Sequence, residues 1–137
     1  MTHQPAVFNR TYDEAFALVV EARNYMRYVE PRTRRRSGEG GLERSCEALR
    51  VTSRLTQVMA WLMLQRAVMA GEVTQEQAMA EDNLLSGQEV CLVEKDGLDL
   101  PPGLHSLLER SHRLYQRVSR LERMVLARLQ GGSLMVH

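Results

Sequence analysis

The sequence predicts an all-α protein: an antiparallel, up-down-up bundle of three long helices, with a short extra helix in the second connection. Three long segments carry apolar residues at three- and four-residue steps, the spacing of one face of an α-helix. Stretches rich in proline and glycine separate these segments. The one run with strand-like composition, residues 90–93, has no partner strand elsewhere in the chain. The 137 residues suffice for one domain with a single core.

The first helix is expected over about residues 11–30, after an extended or disordered N-terminus at residues 1–10. Thr11, with Glu14 three residues later, matches the capping-box pattern of a helix start. Pro31 ends the helix, because the residue before a proline is disfavoured in the α conformation. The apolar stripe of this helix comprises Ala15, Leu18, Val19, Ala22, Tyr25, Met26 and Val29.

The second helix is expected over about residues 42–70, with Gly71 as the left-handed residue that ends it. It carries two apolar faces about 150° apart, so we expect it at the centre, contacted on two sides by the other long helices. The first face comprises Leu42, Cys46, Leu49, Ser53, Thr56, Ala60, Met63 and Ala67, in which small and large residues alternate as suits close helix approach. The second comprises Val51, Leu55, Val58, Met59, Leu62 and Met69. Between them runs a strip of Arg50, Arg54, Gln57, Trp61 and Gln65.

A second capping-box pattern, Thr74 with Gln77, predicts a short helix over residues 74–85, followed by a connector. The third long helix is expected over about residues 102–129, since proline is favoured in the first turn. Residues 130–137 are expected to form a flexible C-terminal tail. The stripe of the third helix comprises Leu104, Leu107, Ser111, Leu114, Val118, Leu121 and Val125.

Composition and motifs argue against several classes of function. The formal net charge of +1 gives no global attraction to nucleic acid or to a membrane surface. The N-terminus lacks the apolar region of a signal peptide, and the apolar run at residues 58–64 is shorter than the ~20 residues of a membrane span. Cys46 and Cys91 lack metal-ligand or CxxC spacing, which favours a reducing cytoplasm. We expect no catalytic, cofactor or metal site, since His105 and His112 stand seven residues apart without a supporting motif.

Arginines form the sharpest polar features of the chain. The loop at residues 31–41 is either a solvated linker or a clamp for an acidic partner or phosphate. Its candidate contacts are Arg32, Arg34, Arg35 and Arg36. One face of the third helix is likewise either solvated or a docking face for an acidic partner. Its candidate partner or dimer contacts are Arg110, Arg113, Arg117 and Arg120.

The second helix supplies the remaining candidate contacts. Trp61 lies in the polar strip, where its ring either covers the connector or forms a hot spot for self-association or a partner. Arg54 lies in the same strip, and Leu55 and Leu62 lie on the second apolar face. We therefore predict that part of this side of the helix forms a homodimer contact.

The segment "LRVTSRLTQVMAWLMLQRAVMAGEVTQEQA", residues 49–78, closely resembles the alphaproteobacterial RcdA family, named for the regulation of CtrA degradation. The pattern consists of the run from Leu49 to Leu55, then Trp61, then Gln-Arg-Ala-Val at residues 65–68 and Gly-Glu at residues 71–72. "YDEAFALVVEARNY" and "LPPGLHSLLERSHRLYQRVSRLERM" are similar to the first and third helices of this family. The resemblance covers roughly residues 10–126.

The resemblance implies a dimeric three-helix bundle that has no enzymatic activity and no cofactor. Proteins of this family act as adaptors of the ClpXP protease in cell-cycle proteolysis. The implied partners are ClpX primed by a CpdR-like response regulator, a PopA-like cyclic-di-GMP effector, and cargo proteins that include CtrA. The implied location is the cytoplasm, with recruitment to a cell pole. This chain departs from the family at the arginine-rich loop and in its short C-terminal tail.

Two other functions stay open on the sequence alone. A small DNA-binding or nucleoid-associated helical protein would use the arginines of the loop and of the third helix, although no helix-turn-helix motif supports it. A structural bundle would only scaffold a complex.

Overall fold

Three long helices make up most of the fold. The computed structural model describes residues 3–29, 31–32, 41–85 and 100–136. Helix α1 (His3–Asn24) continues as a π-helical turn (Tyr25–Val29), and helix α2 (Gly41–Met69) follows. The short helix α3 (Gln75–Ala78), a 3-10 turn (Glu81–Asn83) and helix α4 (Pro102–Val136) complete the chain. These ranges contain no strand, so the predicted all-α bundle is confirmed.

The direction of α4 differs from the expected up-down-up order. Arg54 of α2 meets Leu108 near the start of α4, whereas Gln75, just after α2, lies beside Leu129 near the end of α4. Helices α2 and α4 therefore run parallel. Ion pairs between Glu14 and Arg117 and between Glu21 and Arg110 show that α1 runs antiparallel to α4.

The reason for this order lies in the length of the second connection. Leu85 hydrogen-bonds to Glu122 in the later part of α4, and by Leu100 the chain has reached the other end of the bundle. A short turn would have forced α4 to run antiparallel to α2, whereas a connection of this length lets it restart beside the N-terminal end of α2.

The core is formed by the apolar stripes that the sequence predicts for α1 and α4, packed against one face of α2. Its buried members are Phe8, Ala15, Leu18, Ala22 and Tyr25 of α1, Val51, Leu55, Val58, Trp61 and Leu62 of α2, and Leu104, Leu107, Leu114, Tyr115, Val118 and Val125 of α4. On α2 these residues cover the second predicted face and part of the strip that contains Trp61. The expectation that α1 and α4 lie on two opposite sides of α2 is wrong, since both pack on neighbouring flanks of this single face.

The first turns of α1 lie where an extended N-terminus was predicted. Thr11 is not a helix cap: it is buried inside the helix, and its hydroxyl donates to the carbonyl oxygen of Val7 at 2.7 Å. The upstream turn is stabilised by tertiary packing, because Phe8 inserts its ring against Trp61. Packing of an apolar side chain thus outweighs a local capping pattern.

The end of α2 and the start of α3 follow the predicted signals. Gly71 has φ +76°, and the amides of Gly71 and Glu72 donate to the carbonyl oxygens of Val68 and Ala67, which is a Schellman motif. Thr74 and Gln77 form a reciprocal capping box. The helix after it is shorter than the predicted residues 74–85, because the chain changes to a 3-10 turn after Met79.

Helix α4 continues to Val136, seven residues beyond the predicted end at residue 129. The glycines at residues 131 and 132 do not end the helix. Gly131 does not share the positive φ of Gly71, so it keeps the helical backbone.

Candidate functional site

The three apolar candidates on α2 lie inside the chain's own core. Trp61 is 1% exposed, and Leu55 and Leu62 are similarly buried. The structure therefore corrects their assignment as partner or dimer contacts, because each is already covered by α1 or α4. A homodimer contact on this side of α2 cannot use these three side chains, and the homodimer itself stays a prediction.

Trp61 serves as a link between α2 and the beginning of α1. Its ring meets the Phe8 ring edge-to-face, with centroids 5.8 Å apart and an interplanar angle of 75°. The indole Nε1 is buried and has no hydrogen-bond partner among the described residues. The polar residues that share this strip of α2 concealed the role of Trp61, because the strip is covered by other parts of the chain: Arg54 contacts α4, and Gln65 contacts Gln75.

Arg54 joins α2 to α4. Its guanidinium donates to the carbonyl oxygen of Leu108 at 3.1 Å and to the hydroxyl of Ser111 at 3.4 Å. Burial lowers the pKa of Arg54, and the neighbouring Arg50 lowers it further. Burial also lowers the pKa of His112, and the positive charge of Arg54 acts in the same direction. Arg54 is thus an internal connector between helices and offers little to an outside partner.

The arginine face of α4 is largely neutralised by glutamates. Arg110 binds Glu21 of α1 through both terminal nitrogens, at 2.8 and 2.5 Å. This hydrogen bond raises the pKa of Arg110 and lowers that of Glu21. Arg117 binds Glu14 in the same bidentate way, and its pKa is likewise raised. These two arginines join α4 to α1 and are not free for an acidic partner.

The other predicted arginine contacts lie at the surface or outside the described ranges. Arg113 is exposed and pairs with Glu109 one turn earlier on α4, at 3.4 Å. Arg120 and Arg32 are exposed. The remaining loop candidates, Arg34, Arg35 and Arg36, lie outside the residues that the structure describes, as does Cys91.

An apolar groove between α1 and α2 is the main feature that the predicted site residues missed. The groove holds about 520 Å³ and is lined by Val19, Ala22, Arg23, Met26, Thr52, Leu55, Thr56, Met59, Ala60 and Met63. On α2 it uses residues at the edge of the second predicted face, together with Thr56, Ala60 and Met63 of the first predicted face, which the core leaves open. The alternation of small and large residues on this face was the available signal, since it indicates close approach by a helix.

Exposed aromatic and apolar side chains extend this groove at one end. Phe16 is 53% exposed and Met63 57% exposed. Tyr12 stacks on Phe16, with ring centroids 6.4 Å apart. The guanidinium of Arg66 lies over the Tyr12 ring, 4.4 Å from its centroid. Large exposed apolar side chains beside Tyr and Arg are typical of protein-binding surfaces.

The described part of the chain shows no arrangement suited to metal chemistry or to a membrane span. Among these residues no three His, Cys, Asp or Glu side chains lie close enough to hold a metal ion. No helix within the described ranges combines the length and the apolar character that crossing a membrane requires. The groove can instead take up apolar side chains of another polypeptide.

Comparison with known proteins agrees with the resemblance seen in the sequence. A family model described as "Protein of unknown function (DUF1465)" matches residues 1–133. No significant match is found among curated proteins. The crystal structure of RcdA from Caulobacter crescentus is similar to this chain with a TM-score of 0.71 and 37% sequence identity, over 86% of this chain and 89% of that chain. The chain therefore belongs to the DUF1465 family, which is the family of RcdA.

Proposed function

We propose that this protein is a non-enzymatic adaptor that delivers cargo proteins, CtrA among them, to the ClpXP protease for regulated proteolysis. The observation that carries the proposal is the similarity to RcdA over 86% of the chain at 37% identity. An adaptor acts by tethering, because binding both partners raises the effective concentration of cargo near the protease.

The surface of the bundle suits this role. An adaptor needs a folded scaffold with exposed contact surfaces, and it needs no reactive group of its own. Here the core of α1, α2 and α4 is closed, while the groove between α1 and α2 leaves apolar side chains such as Met63 open to solvent. Weak contacts at such a surface suffice when tethering supplies the effective concentration.

The proposed partners are those of the adaptor pathway. We place ClpX with a CpdR-like response regulator on the protease side, and a PopA-like cyclic-di-GMP effector on the cargo side. The proposed location is the cytoplasm, with recruitment to a cell pole.

A reconstituted degradation assay tests this function. ClpXP, the response regulator and purified CtrA are mixed with the effector and cyclic-di-GMP, and the loss of CtrA is followed with and without this protein. We expect degradation to accelerate severalfold when the protein is added, and the acceleration to require the response regulator. An unchanged rate with every component present would contradict the proposal. As a second readout, a pull-down from native cytoplasm should recover ClpX, whereas recovery of DNA or ribonucleoprotein would favour a nucleic-acid function.

We also propose that the protein is a homodimer. Light scattering at tens of micromolar protein should give about twice the chain mass of 15.7 kDa. A strict monomer at these concentrations would refute the dimer. The proposed interface uses other residues than Leu55, Trp61 and Leu62, because these three side chains are buried within one chain.

The pairing of arginines disfavours the DNA-binding alternative. Arg110 and Arg117 already bind glutamates of α1, so the face of α4 is not the continuous positive stripe that phosphate contacts need.

A further inference from the structure

The groove between α1 and α2 has the dimensions of a helix-binding site. Its α2 side runs from Thr52 to Met63, which is about 16 Å or three turns at 1.5 Å per residue. The small residues Thr56 and Ala60 are exposed on this side of the groove, where they allow a backbone to approach closely. A helix placed here would contact α1 and α2 on the surface that the core leaves open, and would extend the bundle to four helices.

The side chains of the groove suit more than one apolar ligand. Three methionines, Met26, Met59 and Met63, line the groove. Methionine is unbranched and polarisable, so it adapts its shape to different partners, as in other proteins that bind several helical targets.

The charge of the groove selects among possible occupants. Arg23 is the one charged residue among the ten that line it, and Arg66 stands with Tyr12 at the end near Phe16. No described lining residue is acidic. If the same groove of a second copy packed here, it would place another Arg23 near the first and would supply no carboxylate. Acidic residues of a different protein would instead complement the charges of Arg23 and Arg66.

We infer that the α1–α2 groove is the docking site for one amphipathic helix of a cargo protein, about three turns long, with an apolar face and acidic residues on its flanks. The inference rests on the proposed adaptor function and assigns cargo recognition to a defined surface. The apolar residues of the helix occupy the space between Val19, Met59 and Met63, and its carboxylates meet Arg23 and Arg66.

Binding of a designed peptide tests the site directly. The probe is a fluorescein-labelled peptide of about 14 residues, with leucine at helical positions i, i+3, i+7 and i+10 and glutamate on both flanks. We expect anisotropy titration to give micromolar affinity. A twin peptide with lysine in place of every glutamate should bind at least about tenfold more weakly. Equal binding of both peptides, or no binding of the glutamate peptide, would overturn the inference.

Replacing one of two alanines by glutamate shows where the peptide binds. Ala60→Glu places a bulky charge in the lining of the groove, and Ala127→Glu makes the same change at an exposed position of α4. Both variants should fold, as checked by circular dichroism. Ala60→Glu should lower the affinity for the glutamate peptide more than about tenfold, and Ala127→Glu should leave this affinity unchanged. Undiminished binding to Ala60→Glu would place the peptide elsewhere and refute the groove.

Charge reversal tests the acidic flanks. Arg23→Glu should lower affinity for the glutamate peptide severalfold and raise it for the lysine twin. Arg120→Glu, an exposed site on α4, should change neither. If Arg23→Glu does not change the preference for the glutamate peptide over the lysine peptide, Arg23 does not contribute to charge recognition and the inference is contradicted.

The degradation assay separates this inference from the adaptor function. If the unmodified protein accelerates cargo degradation and Ala60→Glu does so equally well, the groove assignment fails and the adaptor function stands. If the glutamate peptide binds in the groove but no cargo is delivered, the adaptor function fails. If Ala60→Glu halves the mass in light scattering and the glutamate peptide does not bind, the groove holds a second copy of the chain and the inference is overturned.

Discussion

The packing role of a single side chain, that of Trp61, is not indicated by the residues around it on the helix surface. Trp61 shares a strip of α2 with polar residues such as Gln57, yet its ring is enclosed and meets Phe8 edge-to-face. The buried Nε1 lacks a hydrogen-bond partner among the described residues, which costs free energy that the packing of the ring must exceed. Its contribution to stability is therefore a matter of apolar area and shape.

Replacing Trp61 tests this role. We expect Trp61→Ala to lower the free energy of unfolding by about 3–5 kcal/mol, since a large enclosed side chain is lost. Trp61→Phe should cost less, because it keeps an aromatic ring and removes the unpaired N–H. Urea denaturation measures both, with Met63→Ala, an exposed site, as a control expected to change stability by less than about 1 kcal/mol. A fully stable Trp61→Ala variant that loses only self-association would instead assign Trp61 to an interface.

Glu122 should give stability an unusual dependence on pH. Burial raises the pKa of its carboxyl, although the amide of Leu85 donates to it at 2.8 Å. With the folded pKa above its ordinary value of 4.5, the native state binds more protons than the unfolded state between these two values. The stability from Glu122 is thus fully present below pH 4.5 and is lost as pH rises through the folded pKa.

Urea denaturation across this pH range, with and without Glu122→Gln, measures the effect. The free energy of unfolding of the unmodified protein, relative to the variant, should fall as pH rises above about 4.5 and then level off. Glu21→Gln should give the opposite slope, because the hydrogen bond from Arg110 lowers the pKa of Glu21. Its contribution is present above the ordinary pKa and is lost as pH falls through the folded value. Parallel profiles for the two variants would contradict the assignment.

At the scale of elements, the junction between the end of α1 and the start of α4 depends on a close contact. The π-helical turn holds Tyr25 against Gly103 in the first turn of α4. A Cβ atom at Gly103 would lie 2.7 Å from Cε2 of Tyr25, closer than such atoms approach in proteins. The absent side chain at Gly103 is what allows the two helices to meet here.

Two glycines of α4 form a matched test of this contact. Gly103→Ala should lower the free energy of unfolding by about 1–3 kcal/mol, because the buried Tyr25 ring must shift. Gly131→Ala has no atom within 4 Å of its new Cβ and lies in a helix, so it should raise stability by about 0.5–1 kcal/mol. Thermal unfolding gives both values. Stabilisation by both alanines would show that the contact with Tyr25 is unimportant.

The elements also show which sequence signals suffice for prediction. The stripe of α4, the capping box of Thr74 and the turn at Gly71 were predictable, because each depends on residues within a few positions. The start of α1 was not, because the turn before Thr11 depends on the packing of Phe8 against a residue far along the chain. Local patterns identify an element well, and tertiary contacts decide where it ends.

At the scale of the whole molecule, the arrangement of the three helices decides which surfaces are available. The two apolar faces of α2 were visible in the sequence, but the sequence did not show which face would be buried in the core and which would stay open. Both α1 and α4 pack near the second face, so the first face becomes one wall of the groove. The pairing of Glu14 with Arg117 was equally hidden, since it requires knowing that α1 and α4 are antiparallel neighbours.

The ion pairs between α1 and α4 should contribute little to overall stability. The side chains of Arg110 and Glu21 are 39% and 51% exposed, and exposed pairs typically contribute about 0.2–1 kcal/mol. A double-mutant cycle with Glu21→Gln and Arg110→Gln should therefore give a coupling energy below about 1 kcal/mol. The coupling should shrink in 1 M salt, where charges are screened within about 3 Å. A larger coupling that resists salt would contradict this view.

Weak pairs of this kind nevertheless have a consequence for the register of the helices. The apolar stripe of α4 repeats every seven residues, so a slip of one heptad against α1 would still bring apolar residues into contact. The two ion pairs are also seven residues apart on each helix. After such a slip one glutamate would still face an arginine, whereas the other would face Gly103 or Met124. Each shifted alignment loses one of the two ion pairs. Together the pairs therefore favour the native register over the two registers shifted by seven residues.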